Sequence, residues 1–325
     1  MTVNAWRGLW VYGSCTILIV AIGCEAPPSE PPSRADGGFD AGATPEPVVN
    51  DGRPDGVALC YSALSSEHPA TTQFWDALRG GKLEDRTAAI TALTAAVAEH
   101  PAEEELQLLL GLAHLWRVAE PLPEQAGDMA GLIAAALGSR TALEKARELC
   151  PTDYRIAAWL GPVLVNTGRA TSDDKTIERG LDVLQQGIDH YPQFVLFSKL
   201  LVYAGRAKSD PDFQLALQAV KDNMAVCKPS DPACSNHAHA LHNVEGASVF
   251  LGDVYAKAGD AARARDAYEM ARGSSTYRDW DYQELLNARI AGMHARIAAY
   301  DDDDAENDPE AAWSATYQCS ICHRQ

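Results

Sequence analysis

The chain has 325 residues, 45 of them acidic and 27 basic, giving a formal net charge of −18, and 46% are hydrophobic. So acidic a surface would repel phosphate backbones and anionic lipid headgroups, which excludes nucleic-acid binding and leaves a solvated surface or one that meets a basic partner. No G-x-S-x-G, H-E-x-x-H or phosphate-cradling glycine loop is present, and the adjacent carboxylates Asp173 and Asp174 read as surface, so hydrolytic catalysis has no support.

Residues 1–23 have the character of an export signal. Arg7 is the only charged side chain before an apolar run over residues 9–23, which is too short and too plainly bounded to span a bilayer. The run ends in Ala21, Ile22, Gly23 and Cys24, which resembles a bacterial lipoprotein lipobox, with Ala21 standing where Leu is usual. The resemblance implies acylation of Cys24, which becomes the new N-terminus. Glu25 follows it rather than the Asp that often signals inner-membrane retention, so the resemblance implies an outer-membrane lipoprotein facing the periplasm or the cell surface. A cleaved signal with Cys24 as an ordinary thiol is the alternative. Residues 24–56 are rich in Pro, Gly and Asp with almost no apolar clusters, and cannot offset their ordering entropy by burial; a disordered tether is expected. No later segment reaches 18 uninterrupted apolar residues, so membrane contact is expected through the lipid anchor only.

Residues 57–300 carry apolar side chains at 3.6-residue spacing, with no convincing alternating strand. The most regular unit is Leu251, Gly252, Tyr255, Gly259, Ala264, Tyr268 and Ala271, which resembles the tetratricopeptide repeat. Upstream relatives are more degenerate. Trp159, Leu160, Gly161 and Leu164 look like a first helix, and Gly180, Leu184, Gly187 and Pro192 like its partner, with an insertion near residues 170–175. Leu110 and Gly111 open a pair that closes with Leu143, Ala146 and Pro151, with an insertion near residues 121–127. Ala89, Leu93, Ala96 and Pro101 look like the close of an earlier pair. The expected fold is all-α, a right-handed superhelical solenoid of about five helix-turn-helix pairs. A capping helix over residues 284–300 is expected to end it, with Trp280 and Tyr282 packed on the last repeat. The resemblance implies a groove that holds a protein partner.

Residues 301–325 read as an acidic linker and a disordered tail. Seven of the ten residues 301–310 are acidic, but the run lacks the Gly and terminal Glu of an EF-hand loop. The tail ends in Cys319, Ser320, Ile321, Cys322 and His323, the C-x-x-C-H pattern of c-type haem attachment. Two thiols three positions apart can each add across a vinyl group, and the adjoining His323 is placed to ligate the iron. Only two residues follow, so such a tail cannot enclose the macrocycle, which would lie against the solenoid, a redox protein partner or water. His239 and His242 share a helix face and are candidates for the second axial position or another metal, while His237 points elsewhere; surface or groove histidines are the alternative. Met224, Met293 and His294 are weaker candidates.

Cys227 and Cys234 flank a short loop with two prolines and are expected to form a disulfide. Cys60 and Cys150 either pair or sit as small buried hydrophobes. For the tail cysteines the rivals to haem are a plain disulfide, a zinc site and a redox dithiol. The expectation is therefore an exported, lipid-anchored scaffold or adaptor carrying one covalent haem c, acting in electron transfer or redox-complex assembly. Its rival is a pure binding adaptor with structural tail cysteines, to which the helical lipoprotein subunits of some bacterial solute transporters are weakly similar. A haem peroxidase is disfavoured for want of an enclosing pocket.

Overall fold

The computed structural model describes residues 60, 62–122, 125, 127–226, 243–302, 304–315 and 317–324. Among these, fourteen α-helices form and no strand does. The export signal, Cys24, the 24–56 tether, Cys227, Cys234, His237, His239 and His242 lie outside the described residues.

A short α1 (Ala63–Glu67) precedes α2 (Pro69–Arg79), which packs on α3 (Arg86–Glu99). Four more neighbouring pairs follow: α4 (Glu104–Ala119) with α5 (Met129–Leu149), α6 (Tyr154–Thr171) with α7 (Asp174–His190), α8 (Pro192–Tyr203) with α9 (Pro211–Val226), and α10 (Val244–Lys257) with α11 (Ala261–Arg272). Local chemistry sets these boundaries. Asp153, Asp173, Asn243 and Asp260 each accept backbone N–H bonds as N-caps, and Pro69 and Pro192 open helices where no N–H is needed. The insertion expected near residues 170–175 is taken up without a long loop: α6 runs on to Thr171, Ser172 turns the chain at φ 53°, and Asp173 caps α7. Those residues lengthen a helix rather than a loop.

Burial separates the two helices of a pair. In α10 twelve of fourteen residues are buried, so the helix is enclosed on every side, whereas α11 buries only Ala264, Ala267, Tyr268 and Ala271 and turns its charged face outward. Gly252 makes the crossing close. A methyl group there would overlap the Tyr268 ring, whose hydroxyl donates to Asp253 Oδ1 at 2.7 Å. Two apolar clusters result. One joins α2 to α6 through Phe74, Leu93, Leu109, Trp116 and Leu160; the other joins α6 to the C-terminal helices through Val195, Phe213, Val249, Val254 and Tyr268. Cys60 and Cys150 form a disulfide with Cα atoms 5.8 Å apart, which ties the chain ahead of α1 to the end of α5.

The C-terminal third departs from expectation in two places. The single capping helix is two, α12 (Gln283–Ala291) and α13 (Met293–Ala299), interrupted at Gly292. Met293 is core, and Met224 lies on the surface of α9. The tail is not disordered among its described residues; it packs on the array and ends in a four-residue helix, α14 (Ser320–His323). Nor is the acidic run wholly solvated. Asp308 meets the ammonium of Lys257, itself fully buried, at 2.6 Å, and Arg289 and Arg296 donate to the Glu310 carbonyl.

Candidate functional site

The C-x-x-C-H segment is clamped between the two ends of the array. Its approach is fixed by aromatic packing and one buried carboxylate. Trp313 lies edge-on to Phe250 with ring centroids 5.3 Å apart, Phe250 meets Phe197 of α8 at 4.9 Å, and Asp253 accepts the backbone N–H of Ala312 at 2.9 Å. Arg289 and Arg296 face the same Asp253 at 3.4 and 3.2 Å, so the carboxylate is neutralised where it is buried.

On one side, the anchor is Glu120, just past the end of α4 and only 1% exposed. Its Oε1 accepts the backbone N–H groups of Cys319 and Ser320 at 2.8 and 2.7 Å, and its Oε2 accepts from the Ser320 hydroxyl at 2.7 Å and the Trp116 indole at 2.9 Å. Its backbone carbonyl accepts from Arg86, and Gln318 donates to the Ala119 carbonyl at 2.9 Å. These contacts satisfy the first orphan amides of α14 and seat the segment against α4 and α2.

On the other side the partners belong to α10 and the turn before α12. Asn243 donates its backbone N–H to the Cys322 carbonyl at 2.6 Å and its side-chain amide to the Arg324 carbonyl at 2.9 Å. The Trp280 indole donates to the Ile321 carbonyl at 3.1 Å, and Arg324 pairs with Asp281. Gly246 permits the approach, because a Cβ there would overlap the Ile321 carbonyl and lie 2.6 Å from Cys322 Cα. Trp280 joins the core cluster of the last helix pair, with Tyr268 and Ala271, and its polar edge also serves the tail.

Both tail cysteines are free thiols, and they face different cores. Cys322, 4% exposed, and the fully buried Ile321 belong to the C-terminal cluster, while half-buried Cys319 packs against the N-terminal one. Burial, and then the Glu120 carboxylate, push the Cys322 thiol up to about 12 and raise Cys319 as well. Held neutral, neither sulfur is a good nucleophile or metal ligand. His323 is half-buried at the end of α14. Chemically the C-x-x-C-H donor set is complete, but the packing does not suit a porphyrin: joining it to both sulfurs would mean prising each from an apolar cluster. Asn243, bonded to Cys322, directly follows His242 in the chain.

The other carboxylate pair has a structural use, since Asp173 accepts the N–H groups of Lys175 and Thr176 as the cap of α7. Sequence reasoning did not find Glu120, Trp116, Arg86 or Asn243. The bonds from Glu120 to Cys319 and Ser320 join residues 199 and 200 positions apart, and no local pattern marks such a pair. Comparison with protein-family models, with curated proteins and with solved structures gave no match to this chain.

Proposed function

We propose that this chain is an exported, lipid-anchored scaffold of the tetratricopeptide-repeat type, a right-handed solenoid whose own C-terminal C-x-x-C-H segment occupies the surface of its first helices and whose partners meet that closed assembly. The observation that carries this reading is the clamping of α14 by Glu120 on one side and by Asn243 and Trp280 on the other. Five neighbouring helix pairs and the small-residue crossing at Gly252 support the repeat register. The Cys60–Cys150 disulfide supports an oxidising compartment.

A second reading keeps one c-type haem on Cys319 and Cys322 with His323 as axial ligand, serving electron transfer or assembly of a redox complex. Its support is the intact motif with both thiols unoxidised. Such a haem would supply one-electron chemistry, and the segment would have to sit outside the two cores that now take its sulfurs.

Expression in cells with an active cytochrome c maturation system separates the two. The scaffold reading expects a purified protein without covalent haem, negative in peroxidase-based haem staining and with Cys319 and Cys322 alkylatable once denatured. Stoichiometric covalent haem would replace it with the redox reading.

A further inference from the structure

The junction of the second and third helix pairs holds more buried negative charge than its hydrogen bonds use. Glu104 and Glu105 open α4, and Asp153 caps α6; one oxygen from each lies within 4.8 Å of the others. All three residues are buried, Glu104 to 2% exposure. Arg155 is the cation among them. Its Nε donates to both oxygens of Asp153 at 2.9 and 3.0 Å, and its terminal nitrogen to Glu105 Oε2 at 2.9 Å. Glu104 has no such partner: neither carboxylate oxygen makes a hydrogen bond, although the side chain is aimed at the other two carboxylates. With Glu104 deprotonated to act as a ligand, three carboxylates against one guanidinium would leave two negative charges, of which the amide ends of α4 and α6 offset only a part.

We propose that Glu104, Glu105 and Asp153 bind one hard divalent cation, of the calcium, magnesium or manganese class, with Glu104 as the ligand that the resident guanidinium leaves unused. A double positive charge brings the group to neutrality, and a donor set made only of oxygens selects a hard ion over zinc or copper. The site adjoins the Cys60–Cys150 disulfide, since the Asp153 N–H donates to the Cys150 carbonyl at 3.2 Å, so a bound ion would brace the same corner of the array.

The test uses the full mature chain stripped with a chelator at neutral pH, titrated separately with calcium and magnesium by calorimetry and with manganese by electron paramagnetic resonance. Binding of one ion per chain by at least one of them, weakened tenfold or more by Glu104→Gln and by Glu105→Gln while helical content stays unchanged, is the expected result. Failure of all three ions to bind at millimolar concentration would overturn the proposal and leave Glu104 as a buried acid. Binding that survives Glu104→Gln but is lost in the double variant Asp302→Asn, Asp304→Asn would overturn it too, by assigning the ion to the acidic run.

Discussion

Glu120 brings four donors from two distant parts of the chain onto one carboxylate. Replacing it by Ala leaves the Trp116 indole and the first amides of α14 buried without acceptors, at a cost of about 1–3 kcal/mol for each group that water cannot reach. Glu120→Ala is therefore expected to lose about 2–4 kcal/mol in denaturant unfolding, and Glu120→Gln, which keeps an acceptor oxygen, clearly less. Glu104 gives a prediction of opposite kind. Burial first, then Asp153 and Glu105, raise its carboxyl to about 8, so the folded state holds a proton that the unfolded state has released above the ordinary carboxylate range. The stability this contributes is fully present below that range and is lost as pH rises through about 8. In chelator, the melting temperature is expected to fall between pH 5 and 9 on this account, and Glu104→Gln to flatten that dependence. An unchanged slope in the variant would assign the dependence to other groups. At this scale little was legible beforehand: the C-x-x-C-H residues announced themselves by spacing, but their acceptors lie too far along the chain to form a pattern.

At the scale of elements, the spacing of Leu251, Gly252, Tyr255 and Tyr268 located a close helix crossing, because a two-helix unit has a period that one sequence displays. The insertion near residues 170–175 is taken up by α6, which continues to a single left-handed residue, so its form rather than its presence escaped the pattern. The same reasoning ran one helix across Gly292, and that error has a physical source: a 3.6-residue period persists through a one- or two-residue break, and only backbone geometry marks the interruption. The Gly252 crossing can be tested directly. Gly252→Leu must push a branched side chain into the Tyr268 ring, and with it the hydroxyl bond to buried Asp253, so a loss of about 3 kcal/mol or more is expected in thermal or denaturant unfolding. Melting like that of the parent chain would contradict the register.

Over the whole molecule, the array divides into two apolar clusters that meet at α6, and the C-terminal segment is a second connection between them. Composition pointed the other way. An acidic run followed by a short motif looks solvated, and docking depends on complementarity with surfaces built from remote parts of the chain, which hydrophobic periodicity does not reveal. The all-helical character and the packing of neighbouring helices in pairs were thus readable from the sequence, and the seat of the candidate site was not. The disulfide supplies a further long-range tie: by chain-entropy reasoning, closing a loop of about 90 residues contributes about 4–5 kcal/mol through the unfolded state.

The two sulfurs of the tail are held within the folded protein by contacts at both ends of the array. The most direct measurement of this is the rate at which Cys319 and Cys322 react with a small maleimide in the native, chelator-treated full chain, followed by mass spectrometry against the same reaction in denaturant. Protection of both thiols until the protein unfolds, with Glu120→Ala accelerating the reaction at Cys319, is the predicted result. Labelling of both in the native chain as fast as in a free peptide of the same sequence would contradict it.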